Sequence, residues 1–271
     1  MASWEFAATG PIEAEISLPS GHVHLTAAQT ETVTVSLLPE QKRGNGAAEK
    51  LIAETEVSFE NGTLAVTVPK RVQLRGGAAL DLTVELPEGS CVAAHTASAD
   101  VHCTGQLGSL DGHTASGDVT ADLISGPANL TTASGDVRLE EAAGEVMIHT
   151  ASGDTRIGRA GGDITAETAS GSVAIGRAGQ SAQVKTASGD VQIDSVLSGR
   201  ADVTTVSGDI TVAVPPGIGV YLDISAVSGH VSSELDADAQ GSGGQDASLT
   251  VCCRSVSGDV RITRASPGAT R

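Results

Sequence analysis

Six aspartates sit at one place in a recurring phrase of the chain: Asp118, Asp136, Asp154, Asp190, Asp209 and Asp259, with Ser172 where the row would otherwise continue. Counting Ser172, the first four intervals are 18 residues and the next is 19. If successive copies stack as strands, the carboxylates lie about 4.8 Å apart. Like charges so spaced repel, and a shared hard cation such as Ca2+ would relieve them. The competing reading gives each Asp to the backbone of its own turn, with its charge in water. Ca2+-binding rolls repeat Gly-Gly-x-Gly-x-Asp every nine residues, twice as densely. That difference and the break at Ser172 both weigh against an ion ladder.

Two further rows share the period. His95 and His113 begin one, which Thr131 interrupts before His149; His102 with Cys103, and His22 with His24, lie nearby in sequence. Zinc needs three or four convergent ligands, so His95 and His113 are only a weak metal candidate and read more simply as surface residues. The other row is Thr114, Thr132, Thr150, Thr168 and Thr186. Facing outward, it would form a hydroxyl array of the ice-binding type, although His149, Glu167 and Lys185 spoil its flatness. Catalytic motifs are missing: there is no Gly-x-Ser-x-Gly elbow, no phosphate-binding Gly-x-x-x-x-Gly-Lys and no His-Glu-x-x-His. The Asp row singles out no acid–base pair. The sequence therefore reads as a non-enzyme with no cofactor, Ca2+ being the one candidate ion.

The elements that hold these rows follow from the repeat itself. Thr-Ala-Ser-Gly or a close variant starts at Thr96, Thr114, Thr132, Thr150, Thr168 and Thr186, each 18 residues after the last. Thr205, Ala226 and Ser255 begin looser copies. Each period carries two short alternating runs, such as Val146-Met147-Ile148 and Asp154-Thr155-Arg156-Ile157, punctuated by Gly. Such runs are strands rather than helices. Identical short-stranded coils stacked on one another form a single-stranded β-solenoid, or β-helix. Its handedness does not follow from the sequence.

Which column faces inward has two answers. Strict alternation from Ile148 puts Thr150 and Ser152 inside and Ala151 outside. The column Ala97, Ala115, Ala133, Ala151, Ala169, Ala187, Val206, Val227 and Val256 is apolar in every copy, which favours placing it inside behind a bend. On that choice Ala151→Arg disrupts the coil and His149→Arg is nearly silent.

Residues 1–90 lack the motif but alternate at Ile12–Leu18, Val33–Leu37, Leu64–Val68 and Leu80–Leu86, with a hairpin turn at Glu60-Asn61-Gly62 and a helical turn or two within 47–53. They are expected to cap the open edge of the stack. Residues 91–264 then form about nine coils, interrupted by a Gly/Ser/Asp loop at Asp236–Ser248, and 265–271 a disordered tail.

Composition narrows the function classes. Sixteen Lys and Arg against 33 Asp and Glu leave −17 on 271 residues, a field that repels nucleic acid and anionic membrane. Four aromatic residues, Trp4, Phe6, Phe59 and Tyr221, are too few for a bulky core or sugar-stacking platforms. Cys91, Cys103, Cys252 and Cys253 have neither zinc spacing nor disulfide spacing and read as reduced thiols. The start of the chain lacks the basic and apolar regions of a signal peptide. No stretch reaches the ~18–20 apolar residues of a membrane span. The expected location is cytoplasmic, with peripheral attachment to the envelope left open; the oligomeric state does not follow.

The Thr-Ala-Ser-Gly-Asp-Val copies, preceded by Leu82-Thr83-Val84-Glu85-Leu86-Pro87-Glu88-Gly89, resemble the bacterial "putative adhesin" family, domain of unknown function 4097. The resemblance covers roughly 10–264 and implies a β-solenoid, a bacterial source, an association with envelope-stress systems and no catalytic residues. The resulting expectation is an adhesin-like scaffold that presents repeated rows to a protein or cell-envelope partner. The Ca2+ roll and the ice-binding-type array stand as alternatives.

Overall fold

The computed structural model describes residues 1–40, 45–69, 79–235 and 248–265, and divides into two compact units, Met1–Arg138 and Leu139–Arg271. Among these residues all elements but one are strands. The expected loop at 236–248 and tail at 265–271 lie, apart from Ser248 and Ala265, outside the described residues.

In the first unit, β1 (Ala2–Ala7), β2 (Glu13–Ala28) and β3 (Thr32–Pro39) precede a helix, α1 (Asn45–Glu54). There follow β4 (Glu56–Glu60), β5 (Thr63–Thr67), β6 (Leu80–Pro87) and β7 (Cys91–Leu107). The unit continues with β8 (Ser109–Thr114), β9 (Val119–Ile124), β10 (Ala128–Thr132) and the start of β11 (Val137–Ala142). Parallel stacking begins well before the first sequence motif, because β2 runs parallel to β7 in continuous register from Glu13↔Cys91 to Thr26↔Thr104. Ser20-Gly21-His22 lies against Ser98-Ala99-Asp100, so it is a degenerate copy of the repeat corner. Beyond β2 the direction changes. β5 and β6 still pair parallel with β2, but β4 is antiparallel to β5, β3 to β6 and β1 to β3. Short connections can join antiparallel strands, and Asn61 (φ 52°) with Gly62 (φ 82°) makes the β4–β5 turn. Phe6 and Phe59 pack with ring centroids 5.4 Å apart.

Among the described residues the second unit pairs only in parallel. One sheet holds β12 (Val146–Ser152), β14 (Ile164–Ser170), β16 (Ala182–Ser188), β18 (Gly199–Ser207), β20 (Val220–Ser228) and β22 (Leu249–Ser257). The other holds β13 (Thr155–Ala160), β15 (Val173–Ala178), β17 (Val191–Ile193), β19 (Ile210–Val214), β21 (Val231–Ser233) and β23 (Val260–Arg264). Stacking follows sequence order up to β18 and β19, then departs from it. β22 pairs with both β18 and β20, and β23 with both β19 and β21. The last coil in sequence is thus inserted ahead of the preceding one. Its side chains suit that place: Leu249, Val251, Cys253, Val260 and Ile262 are all 0% exposed, whereas the displaced coil carries Tyr221 and Ser233 at exposed positions.

The interior column differs from the expected one. Thr114, Thr132, Thr150, Thr168, Thr186, Thr205 and Ser255 are buried, while Ala115, Ala133, Ala151, Ala169 and Ala187 are exposed, as are Val206, Val227 and Val256. Plain alternation wins: Val146, Ile148 and Thr150 face in, and the strand reaches Ser152 without the bend needed to turn Ala151 inward. The threonine row is consequently no surface hydroxyl array. It is a polar seam inside the core, and Ala151→Arg sets its charge in solvent instead of disrupting the coil.

The seam has two forms. Gly117 and Gly135 donate their N–H groups to Thr114 Oγ1 and Thr132 Oγ1, both at 2.9 Å. In the second unit Gly171, Gly189 and Gly208 donate instead to the carbonyls of Ser188, Ser207 and Ser257. Thr150, Thr168, Thr186 and Thr205 then have no partner for Oγ1 among the described residues. Opposite effects of one substitution follow. Thr132→Val strands a buried N–H and should cost about 1–3 kcal/mol, whereas Thr168→Val removes an orphaned hydroxyl and should gain about 1 kcal/mol. Thermal melts of the two variants check this; shifts of the same sign would refute the assignment of the two turn forms.

Candidate functional site

The aspartate row lies at the corner between the two strands of each coil, and within each unit the repeat brings its members into line. The carboxylates of Asp118, Asp154, Asp190, Asp209 and Asp259 are used across coils rather than within their own turns. Asp100 Oδ1 accepts the N–H of Asp118 (2.9 Å), and Asp118 Oδ1 that of Asp136 (2.8 Å). In the second unit Asp154 Oδ1 takes the N–H of Ser172, Asp190 that of Asp209, Asp209 that of Asp259 and Asp259 that of His230, all between 2.8 and 2.9 Å. The corner is where the parallel ladder lapses, so its N–H groups need acceptors. A charged oxygen one coil away supplies them with stronger bonds than a neutral group would. Asp163 Oδ1 does the same for Ser181 N–H at the opposite corner, 3.0 Å away. Asp100 and Asp163 were absent from the sequence candidates. Running the 18-residue period one copy back from Asp118 finds the first; nothing in the repeated motif marks the second.

This geometry favours stapling over ion binding. Ca2+ takes six to eight oxygens at about 2.3–2.6 Å, and one oxygen of Asp118, Asp154, Asp190, Asp209 and Asp259 is already given to an N–H. Among the described residues no three His, Cys, Asp or Glu side chains are grouped to hold a metal ion. The melting temperature is therefore expected to be the same in chelator and in excess Ca2+. The break at Ser172 gives a second check. Asp190 N–H has no acceptor among the described residues. Ser172→Asp would supply one, adding about 1 kcal/mol and raising the midpoint by roughly 2–4 °C. A lower midpoint would mean that carboxylate repulsion outweighs the new bond.

The histidines of the first unit fall into two places. His95 and His113 stack in register, ring centroids 5.2 Å apart, and His113 Nε2 lies 3.0 Å from Asp111. His22 sits between Asp81 (2.9 Å) and Asp100 (3.9 Å), with the rings of His24 and His102 following at 6.1 Å steps. Of the thiols, Cys91 is exposed and the other three are buried. Burial pushes Cys103 and Cys253 up to about 12, so neither is a nucleophile near neutral pH.

What the second unit offers to solvent is a set of register-locked rows. His149, Glu167, Lys185, Thr204 and Arg254 stand side by side across β12, β14, β16, β18 and β22. Lys185 Nζ donates to Glu167 Oε1 at 2.8 Å and holds that carboxyl below its usual range, and His149 Nδ1 lies 3.5 Å from Oε2. Beside it run the exposed Ala/Val column and the serines Ser152, Ser170, Ser188, Ser207 and Ser257.

Stacked parallel coils with inward apolar columns and regular outward rows define a β-solenoid scaffold. The chain belongs to the family described as Toastrack DUF4097, whose model matches residues 12–268. The crystal structure of a putative adhesin from Bacteroides fragilis is similar over 96% of this chain and 96% of its own, at 10% identity and a TM-score of 0.50, which shows a shared fold. A putative cell adhesion protein from Clostridium sporogenes is 13% identical, with 97% and 99% of the chains covered and a TM-score of 0.28. A putative lipid binding protein from Parabacteroides distasonis is 10% identical, with 97% and 96% covered and a TM-score of 0.40. The two lower scores add nothing to the fold assignment. No curated protein is significantly similar to the chain.

Proposed function

We propose that the chain is a non-enzymatic, adhesin-like scaffold that presents its outward rows to a protein or cell-envelope partner, within an envelope-stress response. One observation carries the reading. Chemically distinct residues such as His149, Glu167, Lys185 and Arg254 are held at strand spacing by the register, while the aspartates that could have served chemistry hold the backbone instead. Family membership and the adhesin names of structurally similar proteins support it. The test is retention of the full chain on isolated cell-envelope fractions, compared with Lys185→Glu on one sheet and Arg261→Glu on the other. Loss in one variant, with its melting temperature kept, is the expected result. Equal retention by both variants and by heat-denatured chain would overturn the proposal.

A further inference from the structure

The second unit ends on a coil whose interior is not closed. Among the described residues β20 and β21 have β22 and β23 as their ladder partners, which leaves the other edge of each strand without one. Leu249, Val251 and Cys253 are 0% exposed, yet their register partners Val220, Leu222 and Ile224 are only half-buried. Outside the same coil Tyr221 is 53% and Val227 78% exposed, and Val227 completes an outward stack with Val206 and Val256. An apolar, unpaired edge is a template for another strand. The chain segments that leave this unit bring no large apolar side chain: 236–247 holds alanine alone, and 266–271 only alanine and proline.

We infer that this edge docks a second copy of the chain, β20 pairing antiparallel with its counterpart about a two-fold axis at Ile224. The sequence of the strand is complementary to itself in that register. Leu222 faces Ala226 on the inner side, and Tyr221 faces Val227 on the outer side. Asp223, the one charged side chain of β20, faces Ser225 instead of its own copy, and Arg254 lies 3.9 Å away within the chain. Centring the pair on Asp223 would set two carboxylates face to face, which disfavours that alternative. The two-fold arrangement uses one edge on each copy and closes, so association stops at the dimer.

Sedimentation of the full chain across the micromolar range tests this. A nine-residue edge is small beside the ~800 Å² per partner of a standard interface, so a reversible dimer of micromolar affinity is expected. It should tighten with salt, because both copies carry −17. Ser225→Asp sets a carboxylate against Asp223 of the copy twice per dimer and should weaken it roughly tenfold. Val206→Asp, two coils away from the edge, should leave it unchanged. Ile224→Lys should abolish it, and because Ser225 is exposed the aspartate variant remains decisive if the lysine variant does not fold. A monomer throughout, open-ended filaments, or a dimer indifferent to Ser225→Asp would each overturn the inference.

Discussion

Gly189→Ala is expected to lower stability by about 3–5 kcal/mol. Two causes act together. Gly189 has φ +152°, outside the usual range of L side chains, and a Cβ there would lie 2.1 Å from the carbonyl oxygen of Gly171 and 2.6 Å from its carbon. Those atoms are backbone, held between coils by the bond from Gly171 N–H to the Ser188 carbonyl, and cannot swing away as a side chain would. The same contact recurs at Gly171 over Gly153 and at Gly208 over Gly189, so relief at one corner presses on the next. Gly217 separates the two causes, since its φ is +82° but nothing lies within 4 Å of its Cβ position. Gly217→Ala should cost only the backbone strain, about 1–2 kcal/mol. Urea midpoints of the two variants read the difference, and equal losses would show that the corner can spread and that close stacking is not what fixes the glycine.

The stack was legible because an 18-residue period with two alternating runs and Gly corners has few other solutions, and the strands at Val33, Leu64 and Leu80 appear where alternation placed them. The order of the final coils was not legible. Spacing counts copies along the chain, while insertion of β22 between β18 and β20 depends on which coil has the more apolar interior. At the first three interior positions Leu249, Val251 and Cys253 are matched by the equally apolar Val220, Leu222 and Ile224, so the signal rests on Ile262, where the displaced coil has Ser233. The first coil hid for a related reason. Its corner, Leu18-Pro19-Ser20-Gly21-His22, keeps only Ser-Gly of the motif, and register with Thr96–Asp100 reveals it.

The corner chemistry was half legible. The alignment of the aspartates follows from the period, but the partner of each carboxylate does not, since a bond within the turn and a bond to the next coil use the same residues. Local sequence is also insufficient for the turn itself. Thr132–Val137 and Thr186–Val191 are the same hexapeptide, yet Gly135 N–H goes to Thr132 Oγ1 and Gly189 N–H to the Ser207 carbonyl. Neighbouring coils decide between them, as tertiary context commonly overrides local preference.

Thr168→Arg should be as damaging as the glycine change, and Ala169→Arg nearly silent. Thr168 is 7% exposed and lies in register between Thr150 and Thr186, inside the parallel stack. A guanidinium there has no carboxylate in the seam to pair with; the hydroxyls around it neutralise nothing, and the packed columns above and below leave no path to water. Breaking up such a site costs about 3–5 kcal/mol, enough to unfold the coils around β14 locally. Ala169 points the other way and is exposed, so an arginine extends into solvent at a cost within about 0.5 kcal/mol. The uniformity of the alanine column, which first suggested burial, then needs another cause. Ala169 stands between the buried Thr168 and the exposed Ser170 on a strand about 4.8 Å from its neighbours, and a small residue there keeps adjacent copies from crowding at the corner. If Ala169→Arg melts near the wild type and Thr168→Arg far below it, alternation holds through the corner. The reverse ranking would return the alanines to the interior and the threonines to the surface.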